Sequence, residues 1–122
     1  MFNTYNTNAI VKARRLVCYH SDGTIKQASA ATDKICGASD DMDVKAGGII
    51  DVKHLGEAKI EYGGTISAGD FITSDADGCA IAAAAGNNIA GFALFNGVKG
   101  DICSVMILPQ QAQTSAQTDS DQ

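Results

Sequence analysis

Tryptophan is absent from the chain, proline occurs once, and only 6 % of the residues are aromatic. These shortages exclude a core built on large rings. The interior has to be assembled from small aliphatic side chains and alanine, each of which buries little area. At about 25 cal/mol per Å2 of apolar surface, such a core leaves a domain of this size marginal, and burial against another subunit or a larger assembly would offset the deficit. No apolar run approaches the roughly 18 residues that a membrane helix needs. The opening Met-Phe-Asn-Thr-Tyr-Asn-Thr-Asn has neither a basic start nor an apolar centre, so it does not read as a secretory signal. A basic excess is missing too. The formal net charge is −5, with Asp119 and Asp121 in a polar tail, which argues against a general nucleic-acid binder. The four cysteines, Cys18, Cys36, Cys79 and Cys103, form no Cys-x-x-Cys pair and lie in apolar, strand-like contexts. They read as free thiols acting as small buried hydrophobes rather than as a disulfide or metal framework.

What the chain does have is 13 glycines and many valines, isoleucines and threonines within 122 residues. That composition describes a single all-β domain of short strands. Residues 1–8 are polar apart from Phe2 and Tyr5 and have no periodicity. They read as an extended arm with two aromatic anchors, or as a disordered terminus. Strands are expected over residues 9–19, 24–26, 33–38, 48–55, 57–62, 70–73, 89–95 and 101–108. Asp22-Gly23, Val44–Gly48 and Ser74–Gly78 mark turns between them. The alanine-rich residues 79–85 are too few for an independent helix. The last two strands are apolar on both faces. In a small antiparallel sheet one face usually meets water, so their second face is expected to meet another subunit. Pro109 is expected to end the last strand. Residues 110–122 hold only alanine as an apolar type and should be disordered.

Two halves of the chain match, over about residues 16–55 and 71–108. Asp22-Gly23, Ile25, Ala28 and Ala30 correspond to Asp77-Gly78, Ile81, Ala83 and Ala85. Ile35 and Ile89 are 54 residues apart, as are Val44 and Val98, and one residue is then dropped before Asp51-Val52 and Ser104-Val105. The match predicts two similar β units in one small barrel or sandwich. Gly37 and Gly91 should mark a strand bend or a close backbone approach.

Chemistry-bearing patterns are weak. The Asp75-Ala76-Asp77-Gly78 core hints at a calcium loop but lacks the further ligands and the terminal glutamate. Turn geometry explains it better. Asp40, Asp41 and Asp43 read as a solvated acidic loop. His20 and His54 are the only histidines. Cys18 near His20 matches no zinc spacing, although a small enzyme or metal protein using that pair stays open at this point. Gly63-Gly64 is followed by no Lys-Ser/Thr and opens no helix, so it is not a phosphate loop. Lys12, Arg14 and Arg15 form a small basic cluster suited to a solvated face or an acidic partner protein. No cofactor, metal or catalytic set is expected.

The stretch Gly64-Thr65-Ile66-Ser67-Ala68-Gly69-Asp70, then Ser74-Asp75-Ala76-Asp77-Gly78, the alanine-rich segment, Ile89-Ala90-Gly91-Phe92-Ala93 and the closing strand 100–108 resemble the capsid cement, or head decoration, proteins of tailed bacteriophages. The resemblance covers residues 44–108, and 9–43 more loosely through the repeat. Its motifs are turns and small residues, not a catalytic signature. The four cysteines and the Gln-containing tail depart from the family pattern.

The resemblance implies a mostly-β, barrel-like (β-tulip-like) fold that assembles as a homotrimer, made in the host cytoplasm and placed on the outer capsid surface of the virion. It implies contacts with the major capsid protein that strengthen the head, and no direct nucleic-acid or membrane partner. By analogy, Phe2, Asn3, Tyr5, Asn6 and Asn8 would form a capsid-binding arm acting by strand addition. Lys12, Arg14 and Arg15 would face the capsid, and Phe92, Leu94, Phe95, Val105 and Ile107 would form the trimer interface. The competing expectation is a carbohydrate- or ligand-binding β module on a virion surface. The shortage of exposed aromatics weakens it.

Overall fold

The computed structural model describes residues 2–7 and 9–110. Ten strands follow one another: β1 (Phe2–Asn6), β2 (Leu16–Tyr19), β3 (Ile25–Gln27), β4 (Ile35–Ser39), β5 (Ile49–Lys53), β6 (Gly56–Glu61), β7 (Phe71–Ser74), β8 (Ala80–Ala82), β9 (Ile89–Ala93) and β10 (Ile102–Gln110). They form two five-stranded antiparallel sheets with the orders β1-β5-β4-β2-β3 and β6-β10-β9-β7-β8. The fold is all-β, and no helix occurs among the described residues.

The two orders are the same order shifted by five strands, and the registers coincide residue by residue. Phe2 faces Lys53 as Glu57 faces Met106. Leu16 faces Ala38 as Phe71 faces Phe92, and Val17 faces Gly37 as Ile72 faces Gly91. Tyr19 faces Ile25 as Ser74 faces Ala80. Each sheet also curls until its outer strands meet. Thr7, just past β1, bridges Ile25 of β3, and Tyr62, just past β6, bridges Ala80 of β8, both in parallel sense. The curl makes each half barrel-like and shields the sheet edges at that point.

The two repeat glycines explain how the curl is achieved. A Cβ on Gly37 would sit 2.3 Å from the carbonyl oxygen of Lys53, and one on Gly91 would sit 1.8 Å from that of Met106. Lys53 and Met106 hold the same place in β5 and β10. Only glycine permits the approach, so this residue sets the bend in both sheets.

The turns share a frame as well. Val11 bridges Val44, and Ile66 bridges Gly97. Three residues after each of these four positions the backbone turns left-handed, at Arg14, Gly47, Gly69 and Gly100. The segment expected as a strand over residues 9–19 is therefore interrupted. Its first half is a bridge and a turn, and only Leu16–Tyr19 is strand. The turn escapes a sequence reading because Arg14 stands where the other three carry glycine.

Two apolar clusters fill the interior. Val11, Val17, Ile25, Ile50 and Val52 form a small core inside the first half. Leu16, Cys18, Ala28, Ile35 and Ala38 leave the other face of that half and join Ile60, Tyr62, Ile66, Ile72, Ala80, Ala90, Ala93, Val105 and Ile107 of the second. The second core and the seam between halves are thus one continuous cluster. β10 extends through Pro109 to Gln110 rather than stopping before the proline. The ladder shifts register between Ile107 and Gln110, and an irregular ladder tolerates a residue without an N–H. Residues 111–122 of the expected disordered tail lie outside the described residues.

Candidate functional site

The seam between the halves is held by polar contacts laid over the apolar cluster. The Leu16 amide donates to the Gly78 carbonyl at 2.8 Å, and the Glu61 amide donates to the Arg14 carbonyl at 3.1 Å. The buried Asn88 side chain donates to the carbonyls of Thr32 and Asp33 at 2.8 and 3.0 Å, while its own amide donates to Ala31 at 2.9 Å. The Gln27 side chain donates to the Asp77 carbonyl. Arg15 pairs with Glu61 across the seam at 3.1 Å. These bonds satisfy backbone groups that the docking of two sheets would otherwise bury unpaired.

The expected capsid arm is not free. Phe2, Asn3, Tyr5 and Asn6 lie in β1, paired antiparallel with Lys53, Val52, Ile50 and Ile49 of β5; Asn8 lies outside the described residues. The reason is main-chain pairing, which a polar sequence supplies as well as an apolar one. The Thr4 hydroxyl adds a bond to Asp51, and the buried Thr7 hydroxyl donates to the Lys45 carbonyl at 2.8 Å.

Tyr5 also enters an aromatic group at the mouth of the first half. Its hydroxyl lies 2.8 Å from His54 Nε2 and 3.0 Å from the Tyr19 hydroxyl, and His54 Nδ1 lies 2.7 Å from the Cys36 carbonyl. A carbonyl only accepts, so in the neutral ring Nδ1 carries the proton and Nε2 accepts from Tyr5. Tyr5 is then the acceptor for Tyr19. That bond holds the proton on Tyr19 and pushes its pKa up to about 12, with burial a smaller contribution. Strands β1, β2 and β4 and the residue just past β5 are tied together at this mouth. Tyr19 and His54, distant in sequence, gave no signal that they would meet.

The basic cluster is divided. Arg14 lines a shallow cleft with Asp40, Asp41, Lys53, Glu57 and Lys59, where both signs of charge alternate. Lys12 and Arg15 line another with Glu61, Asp75, Asp77 and Lys99. Lys12 and Arg14 fall in separate clefts because the segment turns at Arg14. Arg15 is mostly buried and already paired, and its Nε has no partner among the described residues.

Of the five expected subunit-contact residues, Val105 and Ile107 are fully buried within the chain and are unavailable to a partner. Their second face is covered by the first half of the same chain. Phe92 and Leu94 are half-buried, and Phe95 is 57 % exposed.

The remaining polar groups serve local structure. Asp75 accepts from the amides of Asp77 and Cys79 at 2.8 and 2.9 Å, which fixes the Ser74–Gly78 turn. Burial pushes the thiols of Cys18 and Cys79 up, and that of Cys36 to about 12. Thiols so protonated are poor nucleophiles and poor metal ligands. Among the described residues no cluster of His, Cys, Asp and Glu is arranged to hold a metal.

Among solved structures, the fold is similar to that of the N base of the head fibre gp8.5 of bacteriophage phi29, with a TM-score of 0.69 and 23 % sequence identity over 88 % of this chain and 93 % of that one. At this identity the likeness establishes the fold. No family model and no curated protein matches the chain.

Proposed function

We propose that the chain is a non-catalytic structural protein of a phage head, displayed on the outer capsid surface. In this reading it self-associates as a trimer and binds the major capsid protein, which stabilises the shell. The observation that carries the reading is the shared fold: nearly the whole chain superposes on nearly the whole base of a phage head fibre. The surface supports it. Buried thiols, turn-bound aspartates and clefts of mixed charge leave little for chemistry. Exposed apolar residues such as Phe71 and Phe95 leave much for docking.

The N-terminal strand keeps a role in this reading, by a different route from a loose arm. β1 ends its sheet, so beyond the single bridge at Thr7 its outer edge is open to strand addition from a capsid sheet, with main-chain bonds supplying affinity.

The test is copy number and accessibility on purified virions of the phage that encodes the chain. Quantitative mass spectrometry should find it at high copy number on heads, and external protease should remove it without opening the head. Absence from virions, or protection from protease until the head is opened, would overturn the proposal. A variant lacking residues 1–8 should lose binding to purified heads. Unchanged binding would remove β1 from the contact.

A further inference from the structure

The seam inside the chain is a contact between two different faces of one repeated unit. The first half contributes a strip over β2, β4 and the residue just past β3. Leu16 and Ala38, opposite each other in the ladder, and Ala28, which bonds back to Leu16, are all fully buried there. The second half contributes a mouth. Ser74, Gly78 and Asn88 are buried, and a Cβ on Gly78 would meet the Gln27 side chain at 2.8 Å and the Ala28 and Leu16 carbonyls at 3.1 and 3.2 Å.

Because the halves match in register, each of these faces has a counterpart on the other half, and each counterpart keeps part of its surface open. The strip reappears as Phe71, Phe92 and Ala83, with the Ala83 amide bonding Phe71 as Ala28 bonds Leu16. Phe71 is 52 % exposed, and Phe92 and Ala83 are half-buried. The mouth reappears as Tyr19, Gly23 and Lys34, in the places of Ser74, Gly78 and Asn88. Tyr19 is 50 % exposed, Lys34 is exposed, and a Cβ on Gly23 would meet nothing within 4 Å. The partly open strip is also the more apolar of the two, with two phenylalanines where the covered strip has leucine and alanine.

We infer that the Phe71–Phe92 strip of one copy docks on the Tyr19–Gly23 mouth of a second copy, head to tail, repeating between chains the contact that joins the two halves within a chain. The occupant follows from the seam itself. A face of this backbone shape is already covered, in this protein, by a mouth of the other shape. A contact between unlike faces leaves one strip and one mouth free on every dimer, so it propagates until a ring closes. One element has no counterpart: the Arg15–Glu61 pair corresponds to Asp70 and Asn6, which cannot form an ion pair. The contact between chains therefore lacks the charge pairing of the seam. This inference rests on the self-association proposed above and specifies its surface.

The experiment uses the whole chain and measures mass by light scattering after size exclusion. The wild type should run as a closed oligomer. Phe71→Arg, which blocks the strip, and Tyr19→Arg, which blocks the mouth, should each run at monomer mass. Mixed together, they should form a one-to-one dimer, because each retains the face the other lacks. Lys34→Glu gives a second block on the mouth that leaves the Tyr5–Tyr19 bond intact, should Tyr19→Arg fold poorly. If the wild type is an oligomer and Phe71→Arg leaves it so, self-association stands and this inference is overturned. If Phe71→Arg gives monomers but neither mouth variant does, the head-to-tail pairing is overturned. If the wild type is a monomer at tens of micromolar, the self-association reading itself falls.

Discussion

The two halves of the chain share every strand pairing of their sheets and differ in how their surfaces are covered. In the first half the interior is a small cluster of Val11, Val17, Ile25, Ile50 and Val52, and its mouth is closed by Tyr5, Tyr19 and His54 at the surface. In the second half the places of Tyr5 and His54 are taken by Ile60 and Ile107, both fully buried under the seam. The residues that differ most between halves are those whose environment differs. The residues that agree, such as the paired glycines, are fixed by the backbone. Even the bridge positions keep their task under different side chains. Thr7 and Tyr62 both donate a hydroxyl to a carbonyl in the connection between the fourth and fifth strands of their own half, to Lys45 at 2.8 Å and to Phe95 at 2.9 Å. A duplicated fold thus separates two demands that are mixed in a single one, backbone geometry and partner chemistry.

The sharpest way to break the correspondence is to fill the bend. Gly91→Ala places a methyl group against the Met106 carbonyl, and Gly37→Ala places one against the Lys53 carbonyl, with the first approach the tighter. A backbone atom cannot move aside as a side chain can. Equilibrium denaturation should show losses of about 3 kcal/mol or more for Gly91→Ala and about 2 kcal/mol for Gly37→Ala, at or above the usual range for overpacking. The order matters as well as the size, because the Gly91 strand is continuous with the seam. A loss below one kilocalorie at either position would mean that glycine is not what sets the curl.

A smaller effect tests the bridge positions. Tyr62→Phe removes the hydroxyl that the Phe95 carbonyl accepts and should cost about 1 kcal/mol, a typical net hydrogen-bond contribution. Thr7→Val should cost a similar amount through the Lys45 carbonyl, with threonine's shape kept. If Tyr62→Phe is silent while Thr7→Val is not, the two hydroxyls do not play equivalent parts.

The strand pattern was legible in the sequence because turn residues punctuate it. Most strands lie within a residue or two of where Asp-Gly turns and alternation place them, and the matched pairs Asp22-Gly23 and Asp77-Gly78, Gly37 and Gly91, fall at equivalent positions of the two sheets. What misled was what periodicity does not encode. Val105 and Ile107 sit in a strand apolar on both faces, which shows that both faces are covered but not by what. The cover is the same chain. β1 lacks the apolar alternation that marks a strand, although Phe2, Thr4 and Tyr5 favour one, and it is held by main-chain pairing with β5. Arg14 hides a turn because its side chain is untypical of a left-handed backbone. Tyr5, Tyr19 and His54 converge only through the curl of the sheet, which no local pattern announces.

Arg14 supplies the next test. Its φ of 57° is the left-handed conformation that Gly47, Gly69 and Gly100 adopt at the same turn position. For a residue with a Cβ that conformation costs roughly 1–2 kcal/mol, part of which glycine loses again through its freer unfolded chain. Arg14→Gly should therefore stabilise the protein by about 0.5–1 kcal/mol, read as a rise in the denaturation midpoint. Destabilisation instead would show that the side chain holds the Asp40–Glu57 cleft together and that the turn is not under strain.

The last comparison is between the two Asp-Gly turns, one bare and one buried in the seam. In the bare turn Asp22 accepts from the hydroxyl and amide of Thr24 and lies 3.1 Å from His20 Nδ1. The bonds from Thr24 hold its carboxyl at about 2, below the ordinary value of 3.8. A carboxylate whose pKa is lower folded than unfolded contributes stability that is complete above the unfolded value and is lost as pH falls through the folded one. Asp22 thus contributes at neutral pH, and its contribution fades between about pH 4 and pH 2. Asp22→Asn should lower the melting temperature slightly at pH 7 and by less near pH 2, so the gap between variant and wild type narrows as acid is added. The group is exposed, so the effect should be smaller than that of Arg14→Gly or of either hydroxyl deletion, and should shrink further in salt. A gap that stays constant across this range would assign the turn's stability to its shape rather than to the charge of Asp22.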